Sequence, residues 1–201
     1  DTARSRGLGD VYKRQVAGNV SFYNQCADQS IPASPMIGCF GRVSKEQVLM
    51  NGFRSGDANI YLVGETPAFI GGSIVVDVLN IKNTEVKKID VQKYSNMLNC
   101  VLKANSECLI SSGSYVGLGG LATCLFKMSY VNNVGCSIEK DIDKNLLFSE
   151  NFAFVVEVSE ESSSAFEGIL NKSKCAYKLI GKTNKSSKIC LLYTSDAADD
   201  P

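Results

Sequence analysis

Seven consecutive residues, Gly18-Asn19-Val20-Ser21-Phe22-Tyr23-Asn24, constrain this chain more than any other stretch. A glycine at 18 suits close approach of the backbone to a phosphate. Asn19 and Ser21, two residues apart, place an amide oxygen and a hydroxyl on the same side of an extended chain. An Asx turn between two strands explains the tetrapeptide equally well. Pro32 and Pro35 follow, and Met36 to Val43 then reads as an apolar strand.

The rest of the chain is an ordinary globular sequence with no obvious polyanion or membrane partner. Lys plus Arg balances Asp plus Glu at 21 each, so no strongly basic surface for nucleic acid or anionic lipid is expected. Apolar runs are far shorter than the roughly 20 residues needed to span a bilayer. The eight cysteines include no Cys-x-x-Cys pair, and histidine is absent, so a zinc site would need widely separated thiolates. We read them as reduced, mostly buried small apolar residues of a cytoplasmic protein. Without histidine the usual neutral-pH acid or base is missing as well.

Periodicity predicts alternating elements. After the Met36 to Val43 strand come a short helix over 45–50 and a buried strand over 59–64, entered through the Ser55-Gly56-Asp57 turn. Val91, Tyr94, Leu98, Val101 and Leu102 recur at helical spacing and predict a helix over 91–106. A strand over 109–112, a helix over 121–131 and a strand over 152–158 follow. Ser164 with Glu167 suggests a capping box for a helix running to Asn171. Short strands over 175–180 and 186–189 close the series. Ile74 to Leu79, rich in β-branched residues, reads as a strand. Helices mixed with unevenly spaced strands argue for α+β rather than a doubly wound sheet.

The segment Gly18 to Asn24 resembles the phosphoribosylformylglycinamidine synthase family, with Gln25 standing where that family has glutamate. Four further landmarks in the same order extend the resemblance: Gly56-Asp57 with Ile60 to Glu65, then Gly71-Gly72-Ser73, Gly119-Gly120-Leu121-Ala122 and Leu147-Phe148-Ser149-Glu150. The resemblance implies an aminoimidazole ribonucleotide synthetase-like C-terminal domain over 55–189, preceded over 16–54 by the last part of a nucleotide-binding domain. It also implies a short helix, not a strand, at Ile74 to Leu79. Residues 1–15 and 190–201 resemble translated sequencing-adaptor read-through and are expected to be non-native.

Chemically, the resemblance implies an ATP-dependent carbon-nitrogen ligase of purine biosynthesis that converts formylglycinamide ribonucleotide to the amidine. Gly18 would contact ATP, Asn19 would ligate Mg2+, and Ser21 would hydrogen-bond the substrate. The family's catalytic histidine lies in an earlier half that this chain lacks, so no catalytic residue is expected here and the chain alone is expected to be inactive. Implied partners are a glutaminase subunit and, in a small-type enzyme, a short accessory subunit. Before Gly119 and Gly120 the family carries two carboxylates, where this chain has Ser114, Tyr115, Gly117 and Leu118. We therefore read these glycines as close helix packing in preference to a phosphate cradle. Asn151 and Phe152 also depart from the family, which favours a surface or strand-end role for Ser149 and Glu150. The departures keep open a degenerate, noncatalytic nucleotide-binding or scaffold relative, or another ATP-using member of the superfamily. Asp57 reads as an Asx turn, Glu139, Asp141 and Asp143 as a solvated loop, and the lysines from 172 to 188 as solubilising charge.

Overall fold

The computed structural model describes residues 25–30, 38, 40–82, 84–86, 88–139 and 142–191. The chain divides into two compact units, 1–42 and 43–201. Of the first, the described part is a small antiparallel hairpin of β1 (Gln25–Cys26) and β2 (Gln29–Ser30), which turns at Ala27 with φ 52°. Most of the strand expected over 36–43 lies outside the described residues, and residues 40–43 are in no regular element.

The second unit is built on β3 (Asn59–Val63), in which every residue is buried. Its period of two sends Ile60 and Leu62 to one face and Tyr61 and Val63 to the other, so both faces must be covered. Each fully buried aliphatic side chain there contributes about 2 kcal/mol. Around β3 lie β4 (Ser112–Tyr115), β5 (Gly135–Ile138), β6 (Phe154–Val158), β7 (Tyr177–Asn184) and β8 (Ile189–Leu191), in the order β4-β6-β3-β7-β5-β8. All neighbours are antiparallel except β5 and β8, so the sheet is mixed and the fold is α+β.

Helices cover the two faces. Five-residue α1 (Ile74–Val78) stands outside this pairing, α2 (Val91–Ser106) and α5 (Glu160–Lys172) share the Tyr61 face, and α3 (Gly120–Asn132) and α4 (Lys144–Phe148) share the Ile60 face. The bounds of α2 match the sequence expectation, but its buried face is Met97, Cys100, Val101 and Ala104, while Val91 and Leu102 are exposed. Val101 of the predicted recurrence is on that face, and Tyr94 and Leu98 pack against the same cluster. Small Cys100 and Ala104 pack in the same cluster as bulky Tyr61 and Phe166.

Three corrections follow from how helices begin and end. Ile74 to Val78 is helical despite its β-branched composition, as the family resemblance implied. Strand β4 starts at Ser112, not 109, because the closing turn of α2 consumes Cys108 and Leu109: Leu109 N–H donates to the Ala104 carbonyl (3.0 Å). Helix α5 starts at Glu160, with the Ser159 hydroxyl accepting from Ser162 N–H (3.2 Å), so Ser164 is not its cap. At the end of the sheet β8 pairs Cys190 with Ser137 and Leu191 with Ile138.

Candidate functional site

Four of the five sequence landmarks meet at one end of the sheet. Beyond Val63 the chain leaves β3 through Gly64 and Glu65 and loops to Gly71-Gly72-Ser73 at the start of α1. The strand β6 is preceded by Ser149-Glu150-Asn151, and these three residues hold that loop. The buried Ser149 hydroxyl contacts the Phe69 and Pro67 carbonyls, and Asn151 Nδ2 donates to the Pro67 carbonyl (3.0 Å). Glu150 Oε1 accepts from Ile74 N–H and from Gly119 N–H, both at 2.9 Å. One carboxylate thus caps α1 and ties it to the turn that opens α3. Ser149 and Glu150 are a clamp between loops, where the sequence suggested a surface or strand-end role.

That clamp answers the question of the glycine pair. Gly119 N–H is taken by Glu150, and Gly120 N–H donates to the Gly117 carbonyl (3.0 Å), so neither faces a ligand phosphate. A Cβ on Gly120 would lie 2.7–2.9 Å from the backbone of Leu147 and Phe148. These glycines serve close packing of α3 on α4, as their sequence context suggested. The residues present do not fit a nucleotide held at this turn.

Beside the clamp is a cavity of about 620 Å³. Its walls come from the 64–72 loop, the start of α2, residues 150–152 and the 174–176 turn. Gly71 belongs to this geometry: a Cβ there would fall 1.7 Å from the Glu85 carbonyl oxygen, so only glycine lets the 84–86 segment cross the loop. Phe69, Tyr94 and Phe152 give aromatic surface, with Tyr94 and Phe152 edge to face at 5.2 Å. Burial raises the Tyr115 hydroxyl above the ordinary tyrosine value nearby, helped by Tyr94 and Glu150. Lys93 pairs with Glu65 across the opening, and that contact raises the lysine further.

A second carboxylate escaped sequence reasoning. Glu157 is fully buried in β6 and accepts from Arg54 N–H (2.8 Å), Ser55 N–H (2.9 Å), the Ser55 hydroxyl (3.0 Å) and the Ser112 hydroxyl (2.6 Å). It fixes the segment that leads into β3. The signal was present as a lone acid inside the apolar run Phe154-Val155-Val156-Glu157-Val158.

The remaining expectations fall as follows. Gly18, Asn19 and Ser21 lie outside the described residues, as do Cys39 and Asp141. Asp57 sits at φ 76° in the bend before β3. Asp143 caps α4 by accepting from Asn145 N–H (2.8 Å). Among the described residues no group of three or more His, Cys, Asp or Glu could hold a metal, and no helix is long and apolar enough to cross a membrane. Cys100, Cys124, Cys136 and Cys175 are buried and Cys26 and Cys108 exposed. Burial pushes the thiols of Cys124 to about 11 and of Cys136 and Cys175 to about 12, which keeps them protonated and unreactive at neutral pH.

Comparison with known proteins agrees with this architecture. The family described as AIR synthase related protein, C-terminal domain, matches residues 54–193. Phosphoribosylformylglycinamidine synthase subunit PurL of Campylobacter lari is 31% identical over 177 residues, covering 87% of this chain and 24% of the relative. PurL of Lactobacillus helveticus is 32% identical over 185 residues, covering 90% and 24%. The chain therefore spans about a quarter of the length of the curated relatives it matches. Among solved structures, T. maritima PurL complexed with FGAR superposes with a TM-score of 0.64 at 16% identity, covering 77% of this chain and 28% of that one. The same protein complexed with AMPPCP gives 0.58 at 16%, covering 78% and 26%. With most of its length matched and the mixed sheet in place, this chain belongs to the AIR synthase related protein C-terminal domain family.

Proposed function

We propose that this chain is part of a phosphoribosylformylglycinamidine synthase, a cytoplasmic ligase of de novo purine biosynthesis. The observation that carries the reading is the Ser149-Glu150-Asn151 clamp, which ties the Leu147 to Glu150 landmark to the start of α1 behind Gly71-Gly72-Ser73 and to Gly119, in a chain about 30% identical to PurL relatives along most of its length. In the reaction, the amide oxygen of formylglycinamide ribonucleotide takes the γ-phosphoryl group of ATP, releasing ADP. Ammonia then adds at that carbon and phosphate leaves, giving the amidine. Such transfer is mostly positioning and charge neutralisation.

Within that scheme Gly18 approaches ATP with its backbone, Asn19 offers its side-chain oxygen to Mg2+, and Ser21 hydrogen-bonds the formylglycinamide substrate. Magnesium, when bound, neutralises phosphate charge. Ammonia comes from a glutaminase subunit, with a short accessory subunit in a small-type assembly. The 201-residue chain by itself has no synthase activity, because the histidine-bearing half is elsewhere.

A second reading, a noncatalytic relative, is favoured by one observation: the turn before α3 has lost both carboxylates and its two glycine N–H groups are already taken. The two part in a single assay on the product of the complete gene. ATP, ammonia and formylglycinamide ribonucleotide should give ADP and amidine in equal amounts. ADP release stimulated instead by thiamine monophosphate would assign another branch of the superfamily, and no ADP release with either would favour the scaffold.

A further inference from the structure

Lys174 occupies a position where glycine is the usual choice. It is the residue beyond the cap of α5, at φ 50°, with Cys175 N–H donating to the Leu170 carbonyl (2.9 Å) and Lys174 N–H to the Asn171 carbonyl (3.1 Å). This is the Schellman closure, whose left-handed residue strains any side chain with a Cβ. Cys108 ends α2 by the same pair of bonds at φ 57°, but only Lys174 of the two faces the cavity. A strained residue at a cavity is a starting point for a functional hypothesis.

The charges around the cavity point the same way. Three carboxylates border it and all are committed: Asp90 accepts from Gln92 and Lys93 N–H, Glu150 from Ile74 and Gly119 N–H, and Glu65 pairs with Lys93. Lys88 and Lys174 border it too and are in no ion pair among the described residues. Formal charge around the cavity balances, three lysines against three carboxylates, but with the acids committed Lys88 and Lys174 remain as donors at the rim of an aromatic cavity whose volume suits a small organic molecule.

We propose that this cavity binds a phosphate monoester carrying a planar ring, its phosphate held by Lys88 and Lys174 and its ring by Phe69, Tyr94 and Phe152. Every group it uses lies after residue 43. Ammonium groups meet phosphate as point charges, and the ring packs face or edge on the aromatic walls.

The test is calorimetric titration of the 201-residue chain with AMP in EDTA, with adenosine and inorganic phosphate as separate arms. AMP should bind saturably, and each half-ligand about tenfold or more weaker, since each forfeits one set of contacts. Lys174→Gly should weaken AMP about tenfold while raising Tm by about 2 °C, because glycine relieves the left-handed strain. Cys108→Gly should raise Tm alike and leave AMP binding unchanged. Lys88→Gln, on an exposed side chain, gives a second reading of the charge. Absence of saturable AMP binding, binding that requires magnesium, or binding indifferent to both lysine variants would each overturn the assignment.

Discussion

Two glutamates perform the same chemistry in two settings. Glu157 is fully buried and accepts four hydrogen bonds through both oxygens, three of them from Arg54 and Ser55, about a hundred positions away in sequence. Glu150 is half-buried at the cavity wall and accepts two, through one oxygen, from the starts of α1 and α3. A buried carboxylate exchanges its hydration for fixed donors and cannot give them up cheaply, and the Ser112 hydroxyl it would leave behind is itself buried. At a wetter site water can substitute for a lost partner. Glu157 therefore holds the fold, and Glu150 shapes a site that can still adjust.

The largest effect expected from that contrast is on Glu157. Replacing it by alanine should cost about 4 kcal/mol, since several charge-assisted bonds disappear and the buried Ser112 hydroxyl is orphaned. Urea unfolding should show the midpoint fall at nearly unchanged slope, and a loss as small as that at Glu150 would erase the distinction. Next in size, Gly71→Ala should cost about 2 kcal/mol, because its Cβ cannot coexist with the Glu85 carbonyl. Hydrogen exchange should then quicken in 84–90 while β3 stays protected; uniform loosening would contradict a local role. Glu150→Ala should cost only about 1 kcal/mol, the usual scale for a lost helix cap, yet quicken exchange at both Ile74 and Gly119. Protection lost at one and kept at the other would mean that the clamp does not join them. Smallest in stability terms is thiol chemistry at pH 8: Cys26 and Cys108 should react with a disulfide reagent well before Cys124, Cys136 and Cys175, which burial holds at about 11 to 12.

What the sequence revealed follows the reach of the interactions. Strand β3 and helix α2 were legible because their signals lie within a few residues: a continuous apolar run and a helical recurrence. The β-branched stretch at Ile74 misled by the same local logic, since its first N–H is capped by Glu150 and its end turns at Asn80 with φ 50°. Helix endings displaced β4 for a comparable reason, the turn at Cys108 being unmarked by glycine or proline. The candidate site was visible as separate motifs in family order, but not as one network. Nothing in the motif Leu147 to Glu150 says that its carboxylate will reach 31 residues back to Gly119 and 76 back to Ile74. The roles expected of Gly18, Asn19 and Ser21 came from the family resemblance, and those residues lie outside the described ones.

The Gly18 to Ser21 segment offers the most direct experiment. In the product of the complete gene, with formylglycinamide ribonucleotide, ATP and ammonia saturating, Asn19→Ala should lower turnover about a hundredfold and raise the magnesium concentration needed for half-maximal rate, since an oxygen ligand is lost. Turnover and magnesium dependence equal to those of the parent enzyme would contradict the assignment of this chain to the synthase reaction.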